Sequence, residues 1–215
     1  MENKNPINPI EISTDNSKEL VRGYADFTEY KEVGKQVKIT NKFNFVELSK
    51  SRRSIRGFKD KDVSKEQLME LIEAGQSAPS GGNCQPWHFY VIKNKDLQAE
   101  IKEKSCGQDW ILTAAAFIVV CAEGKRSEFR YGERGRDLYS IQDTAAAIQN
   151  ILLCAKSMGL GTCWCGAFDE GKLSEVLNLP ENFRPIAIIP VGYPAEDSYP
   201  PQNRRPIEEI VTFID

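Results

Sequence analysis

The chain has 215 residues, of which 40% are hydrophobic and 27% are charged, and its formal net charge is −3. This length and composition are typical of a single globular domain with a sizeable core. An acidic chain offers no general attraction for nucleic acid, so we expect no nucleic-acid partner. No secretory signal or bilayer-length apolar run is evident, so we expect a cytoplasmic protein without a membrane partner.

The N-terminal residues 1–42 are polar and are predicted to form an arm or extension, followed by one domain over residues 43–215. A short helix is predicted at residues 44–50. Ser64 and Gln67 have the spacing of a capping box, which predicts the start of a second helix. Residues 77–87 are rich in small residues and prolines, which indicates an irregular loop with exposed backbone N–H groups.

The remaining chain is predicted to mix strands and helices without regular alternation. Apolar and β-branched runs predict strands at residues 87–93, 116–122 and 185–193. The middle strand lacks alternation, which indicates burial on both faces. Helical spacing predicts helices at residues 96–104, 136–158 and 172–178, the second ending at Gly159. These elements favour an α+β fold with a mainly antiparallel central sheet flanked by helices.

The charged stretch of residues 123–135 contains glycines, and we interpret it as a mobile segment or lid. Its aromatic residues, Phe129 and Tyr131, could cover a ligand, and a solvated loop is the alternative.

Six cysteines are present, and only Cys163 and Cys165 are close in sequence. In a cytoplasmic protein such thiols are usually reduced, and these two are interpreted as small packing residues with a redox role as the alternative. The single histidine, His88, leaves a Cys-x-Cys pair short of ligands, so no metal site is predicted. We expect His88 to be a strand residue with one face in the core.

Two arginine clusters lie near opposite ends of this acidic chain. The first contains Arg52, Arg53 and Arg56 together with Ser54, and the second is the pair Arg204 and Arg205. Guanidinium groups bind phosphate with two parallel hydrogen bonds, and a serine hydroxyl adds another donor. The clusters therefore predict a site for a phosphorylated cofactor, with a solvated basic turn as the alternative.

Four segments resemble the signature motifs of the nitroreductase family of FMN-dependent oxidoreductases, in the order in which that family has them. They are residues 52–58 (RRSIRGF), 78–89 (APSGGNCQPWHF), 159–164 (GLGTCW) and 204–209 (RRPIEE). The resemblance covers the chain from about residue 44 onwards. It implies an α+β sandwich that forms a domain-intertwined homodimer with FMN at the subunit interface.

The resemblance also implies a role for each matching residue. Arg52 and Ser54 would contact the FMN phosphate and ribityl chain with Arg53 nearby, and Arg56 would approach the pyrimidine edge of the flavin. Arg204 matches the C-terminal phosphate ligand, with Arg205 beside it. Two further groups would contact the flavin: from the other subunit Pro79, Ser80, Gly81 and Asn83, and against the ring Trp164, Cys165 and Gly166.

The implied activity is an NAD(P)H-dependent FMN oxidoreductase that reduces nitroaromatic, quinone or related acceptors by ping-pong hydride transfer through the flavin. The flavin does the chemistry, so no catalytic protein residue is expected. The alternatives are reductive dehalogenation or flavin destruction on the same fold, or a non-catalytic flavin-binding protein. Relatives often have a lysine where Gln202 stands, so Arg205 or Arg53 would have to substitute for it.

Overall fold

The structure is a computed structural model that describes residues 44–214, so the predicted arm of residues 1–42 lies outside the described residues. Its centre is an antiparallel sheet with the strand order β1-β2-β4-β3. The strands are β1 (Trp87–Ile92), β2 (Ala116–Glu123), β3 (Gly161–Thr162) and β4 (Phe183–Gly192). The predicted α+β fold with a mainly antiparallel central sheet is therefore confirmed.

Six α-helices surround the sheet in the described part of the chain. They are α1 (Phe45–Ser51), α2 (Lys65–Gln76), α3 (Lys95–Ile101), α4 (Gly124–Arg134), α5 (Ser140–Ser157) and α6 (Glu170–Leu177). The predicted capping box starts α2, because the Gln67 N–H donates to Ser64 Oγ at 3.2 Å and the Ser64 N–H donates to Gln67 Oε1 at 3.1 Å. Gly159, with φ of 74°, follows the end of α5 as predicted.

The core lies on both faces of β2, whose side chains are buried from Ala116 to Ala122. Side chains alternate between the two faces of a strand, so Ile118 and Val120 pack against α2 and α5 while Phe117 and Val119 face the opposite cluster. That opposite cluster also contains Ile55 and both Cys163 and Cys165. Burial of β2 on both faces is therefore confirmed.

Most of the charged stretch of residues 123–135 is a helix, α4, so the alternative of a solvated loop was wrong, while a mobile segment or lid stays a prediction. The helix buries only Ser127, which packs closely against Gly135, and Phe129 is 95% exposed. A helix that buries a serine has no apolar stripe, so the usual helical pattern was absent from the sequence. Gly132, with φ of 60°, interrupts the helical backbone near its end.

The expectation for His88 was partly wrong. His88 lies in β1 as predicted, but it is exposed instead of facing the core. Its ring contacts the rings of Tyr90 and Phe183, with centroid distances of 4.8 and 5.0 Å. The sequence pattern did not show that β1 would be an edge strand, and an edge strand leaves more of its side chains in solvent.

Within residues 44–214, no helix is both long and apolar enough to cross a membrane.

Candidate active site

The first arginine cluster is held against β3 by backbone pairing. After α1 ends, the Ile55 N–H donates to the Thr162 carbonyl at 2.9 Å, and Ser54 forms a parallel bridge with Thr162. Ile55 is buried against Gly161, where an added Cβ would lie 2.9 Å from Ile55 Cγ1. Ile55 therefore fixes the segment to the core, and Arg56 beside it is exposed.

Arg52 and Arg204 lie close together although they come from opposite ends of the described chain. The pKa of the half-buried Arg52 guanidinium is lowered first by burial and then by the charge of Arg204. Within residues 44–214 neither arginine forms an ion pair with a carboxylate, and Arg204 Nη2 donates to the uncharged Gln202 Oε1 at 2.5 Å. Two unpaired guanidinium groups at this spacing are a donor set that fits a phosphate dianion.

Arg53 has a structural role in this part of the chain. Its Nε donates to the Pro200 carbonyl at 2.9 Å, and its Nη1 donates to the carbonyls of Lys50 and Arg52 at 2.5 and 2.9 Å. These bonds tie the C-terminal segment to the end of α1. Arg53 thereby helps to place Arg204 beside Arg52, and its own contact with a cofactor stays a prediction.

Arg205 also has partners in the structure. It forms an ion pair with Glu209, at 3.4 Å between Nε and Oε2, and donates to the Glu209 carbonyl at 3.0 Å. Its guanidinium is therefore paired with a carboxylate within the C-terminal segment, whereas Arg204 donates only to the uncharged Gln202 side chain and the Asn203 carbonyl there.

The residues predicted to lie against the flavin ring follow β3 along the edge of β4. Cys165 and Ile188 exchange two backbone hydrogen bonds of 3.0 Å each, which fixes this stretch to the sheet. Trp164 is 39% exposed and Gly166 is also exposed, while Cys165 is buried. Alternation therefore leaves Trp164 on the outer surface and Cys163 and Cys165 beneath it.

Three predicted site residues, Arg52, Ser54 and Arg56, converge on the buried Cys163 thiol. The pKa of Cys163 is lowered to about 7, chiefly by a hydrogen bond from the Cys165 side chain and to a lesser extent by these three residues, against the opposing effect of burial. The same interaction raises the pKa of Cys165, because its proton is held in that hydrogen bond. The sequence predicted Cys163 to be a packing residue, with a redox role as the alternative, and nothing local indicated which side chains surround it.

The glycine-rich loop of residues 79–83 is held by α5 and α4. The Gly81 N–H donates to both carboxylate oxygens of Asp143, each at 3.2 Å, and Ser80 Oγ accepts the Gln85 N–H at 3.0 Å. Asn83 has a positive φ of 57°. The sequence analysis missed Asp143, for which the available signal was an acidic residue within the apolar pattern of α5.

Trp87, which follows the loop of residues 79–83, and Thr162, which precedes residues 163–166, lie at diagonally opposite corners of the sheet. The loop of residues 79–83 leads into Trp87, which pairs with Ala122 and through it with Arg184 at the start of β4. Thr162 pairs with Val191 near the end of β4, on the other edge. Trp87 and Thr162 are therefore separated by three interstrand spacings across the sheet and by seven residues along β4. Together these correspond to a distance of roughly 27 Å. The structure thus brings the arginines and residues 163–166 together and places the loop elsewhere in the same chain.

A cleft of about 310 Å³ borders the arginine cluster. Arg52 and Arg53 line one side, and the cleft also contains Lys156 with the acidic residues Glu196 and Asp197. Asp197 forms an ion pair with Lys59 at 3.3 Å, which offsets part of its charge. A small charged ligand can therefore reach Arg52 from solvent.

The chain is similar in sequence to proteins of one known family. The nitroreductase family model matches residues 49–110 and 102–193. An Archaeoglobus fulgidus protein provisionally named NADH dehydrogenase/NAD(P)H nitroreductase is 36% identical over 151 residues, which cover 68% of this chain and 83% of that protein. The Bacillus subtilis FMN reductase [NAD(P)H] is 33% identical over 159 residues, covering 68% of this chain and 64% of the relative.

Solved structures give the same result for the fold. The crystal structure of a nitroreductase family protein from Clostridium difficile 630 has a TM-score of 0.69 and 31% identity, and the match covers 80% of this chain and 98% of that one. A nitroreductase family protein from Streptococcus pneumoniae has a TM-score of 0.72 and 27% identity, covering 80% and 100% of the two chains. The sequence match, the shared fold and the arginine cluster on β3 lead to one conclusion: this chain belongs to the nitroreductase family.

Proposed function

We propose that this chain is an NAD(P)H-dependent flavin oxidoreductase that binds FMN and reduces nitroaromatic, quinone or related acceptors. The observation that carries the proposal is the pair of guanidinium groups of Arg52 and Arg204, which have no carboxylate partner among residues 44–214 and lie beside the stretch that bears Trp164 and Gly166. Relatives whose names specify FMN reductase and NAD(P)H support the choice of cofactor and electron donor.

Arg52, Ser54 and Arg204 would hold the phosphate and ribityl chain of FMN. When bound, FMN supplies the hydride-accepting and hydride-donating centre of the reaction. Arg56 is exposed beside Cys163 and stands 5.9 Å from the centre of the Trp110 ring. Its guanidinium would stabilise negative charge on the pyrimidine edge of the reduced cofactor. Trp164 and Gly166 would shape the slot above the ring, and the backbone N–H groups of this stretch would orient the ring edge.

A homodimer would complete the site. Trp87, which follows the loop that carries Pro79, Ser80, Gly81 and Asn83, is roughly 27 Å from Thr162 across the sheet, and this separation favours a loop supplied by a second chain. A second subunit would supply its own loop to the first subunit's arginines. The exposed apolar side chains of the C-terminal segment support such a partner: Ile207, Ile210, Phe213 and Ile214 are 66, 62, 85 and 93% exposed.

Two alternative functions use the same proposed flavin site. In a reductive dehalogenase, charged residues of α4 would recognise the amino-acid end of the substrate. Arg130 and Tyr131 do lie against Gly82, but Glu128 is engaged by Arg136 at 2.8 Å. A non-catalytic flavin-binding protein is the other alternative. The cytoplasmic location and the domain boundary near residue 43 stay predictions.

The decisive experiment is the visible spectrum of the purified protein, followed by addition of NADH or NADPH without oxygen. We expect flavin absorption bands that bleach on addition of the donor and return with nitrofurazone or a quinone. A protein that stays colourless after FMN addition would refute flavin binding. Bound flavin that neither donor reduces would favour the non-catalytic alternative, and turnover of halotyrosine without nitrofurazone would favour the dehalogenase.

A further inference from the structure

The glycine-rich loop of residues 79–83 and the two residues after it have a strained backbone. Asn83 and Gln85 have φ angles of 57° and 48°, in the left-handed region that residues with a side chain seldom adopt. Asparagine tolerates this region better than glutamine does, because its short side chain forms local hydrogen bonds. A residue in such a conformation persists only where surrounding contacts determine it, and residues of this kind cluster at functional sites. The contacts around this loop therefore decide whether it keeps its shape.

Hydrogen bonds within the loop satisfy three of its own N–H groups. The Asn83 N–H donates to the Ser80 carbonyl at 3.0 Å, and the Cys84 N–H donates to the Gly81 carbonyl at 3.1 Å. The Gln85 N–H donates to Ser80 Oγ at 3.0 Å. These bonds close the turn, but each joins residues no more than five positions apart. They do not fix the turn to the rest of the domain.

Two arginines of α4 fix the loop from outside, as Asp143 of α5 does. Arg126 Nε donates at 3.0 Å to the carbonyl of Cys84, which lies between the two strained residues. One helical turn later, Arg130 Nη1 donates to the Gly82 carbonyl at 3.5 Å, which is long for a hydrogen bond. A charged donor forms a stronger hydrogen bond than a neutral one, and the shorter contact is that of Arg126. Arg126 is therefore the main contact of α4 with the loop.

The ion pair of Arg126 is too weak to explain the position of its guanidinium. Its Nη1 lies 3.9 Å from Glu123 Oε2, and both side chains are partly exposed to solvent. Exposed ion pairs of this length contribute little to stability. The hydrogen bond to the Cys84 carbonyl is thus the contact that orients Arg126.

We propose that Arg126 is a positioning residue of the flavin site, because its hydrogen bond to the Cys84 carbonyl holds the strained loop in the shape that a flavin would meet. This role depends on the proposed function, in which the loop contacts FMN bound by the other subunit. Arg126 acts through the loop and does not touch the flavin. A loop already held in its bound shape loses less conformational freedom on binding, which favours affinity.

Hydrogen exchange of the full-length, flavin-free protein tests the contact itself. Arg126→Met keeps an unbranched side chain but has no donor. In this variant the N–H groups of residues 83–85 should exchange roughly 10-fold faster than in wild type, since a hydrogen bond from a charged group is lost. The N–H groups of β2 should be unaffected, which would exclude a general loss of stability. Arg126→Lys retains a charged donor and should restore most of the protection. Unchanged exchange of the loop in Arg126→Met would overturn the proposal.

FMN titration of the same variants tests the positioning role. The dissociation constant of FMN should rise roughly 10-fold in Arg126→Met and recover in Arg126→Lys. Arg134→Met is the matched control and should bind FMN as the wild type does. Arg134 is an exposed arginine of the same helix that donates to the Tyr139 hydroxyl at 3.1 Å, and within residues 44–214 it has no hydrogen bond with the loop.

The titration separates failure of this role from failure of the proposed function. A wild type that binds FMN and an Arg126→Met variant of equal affinity would overturn the positioning role alone. Equal weakening by Arg126→Met and Arg134→Met would also overturn it, because only the charge of α4 would then matter. A wild type that takes up no FMN would refute the proposed function, and the positioning role with it.

Discussion

Asp143 accepts the backbone N–H of Gly81 through both carboxylate oxygens, each at 3.2 Å. This contact joins the middle of the glycine-rich loop to the buried face of α5. Burial raises the pKa of Asp143, and the Gly81 N–H opposes that effect. The loop that would cross to a partner's flavin is therefore fixed by a carboxylate that is costly to bury in its charged form.

Replacing Asp143 tests how strongly this contact stabilises the protein. Asp143→Ala should lower the free energy of unfolding by about 1–3 kcal/mol, because the Gly81 N–H loses its acceptor. Asp143→Asn retains an acceptor oxygen and should recover most of that loss. The measurement is denaturant unfolding of the flavin-free protein at one protein concentration, and equal losses in both variants would contradict the hydrogen-bonding role.

The raised pKa of Asp143 also predicts that the free energy of unfolding depends on pH. A raised pKa means that the folded protein holds this proton to a higher pH than the unfolded chain does. Asp143 therefore contributes stability at low pH that is lost as the pH rises through the raised pKa. Compared with Asp143→Asn, the wild type should gain stability as the pH falls through the raised pKa towards the ordinary range of aspartate. A constant difference between the two proteins would rule out titration of this carboxyl.

Arg204→Gln should weaken FMN binding roughly 10- to 100-fold, because a hydrogen bond to a charged group contributes about 1.5–3 kcal/mol. Arg52→Gln should have a similar effect if both guanidinium groups share the phosphate. Arg184→Gln is the matched control, since Arg184 is an exposed arginine whose guanidinium pairs with Glu170 at 2.9 Å. Fluorescence titration with FMN measures the affinities, and equal weakening by Arg204→Gln and Arg184→Gln would show that only total charge matters.

Arg56→Gln should make the reduction potential of bound FMN more negative while the flavin still binds. A positive charge near the pyrimidine edge favours the reduced, anionic form, so its removal penalises reduction. A loss of ~1.4 kcal/mol corresponds to ~30 mV for a two-electron couple. Anaerobic titration against a reference dye gives the potential, and Arg56→Lys, which keeps the charge, should shift it less. An unchanged potential in Arg56→Gln would place Arg56 away from the ring.

Gly161→Ala should destabilise the protein by about 1–3 kcal/mol and weaken FMN binding. The added Cβ would lie 2.9–3.0 Å from three carbon atoms of Ile55, so the arginine segment must move away from β3. Gly171→Ala, on α6, is the control, because its Cβ would meet nothing closer than Asp169 Oδ1 at 3.4 Å. That control should be neutral or slightly stabilising. Thermal unfolding and FMN titration check both variants, and tolerance of Gly161→Ala would contradict the role of this close contact.

Alkylation of Cys163 should rise with pH through about 7, because the Cys165 hydrogen bond and the nearby arginines lower the pKa of Cys163 to that value. The thiolate is the reactive form, so the rate follows its fraction. Cys154, whose pKa is raised to about 11 by burial, should react slowly over the same range. Site-resolved mass spectrometry after short exposure to a small alkylating reagent measures both rates. A Cys163 rate that rises only near pH 9 would contradict the lowered pKa.

Local sequence signals predicted much of this fold. The capping box located the start of α2, and the run of buried apolar residues located β2, because both signals depend on neighbouring residues alone. The helix α4 was missed because it has no apolar stripe. Its buried residue is Ser127, which packs against Gly135. The exposure of His88 was missed because it depends on the position of β1 at the edge of the sheet.

The sequence by itself determined the kinds of elements, the motif residues and the chemistry of their side chains, since guanidinium, hydroxyl and glycine properties do not depend on distant contacts. Only the tertiary structure decided which of these residues meet. Pairing with Thr162 and the bond from Arg53 to the Pro200 carbonyl bring the two arginine clusters together, and strand order and register separate Thr162 from Trp87 by the diagonal of the sheet. Distances of that kind arise from pairing between remote segments, which no local pattern encodes.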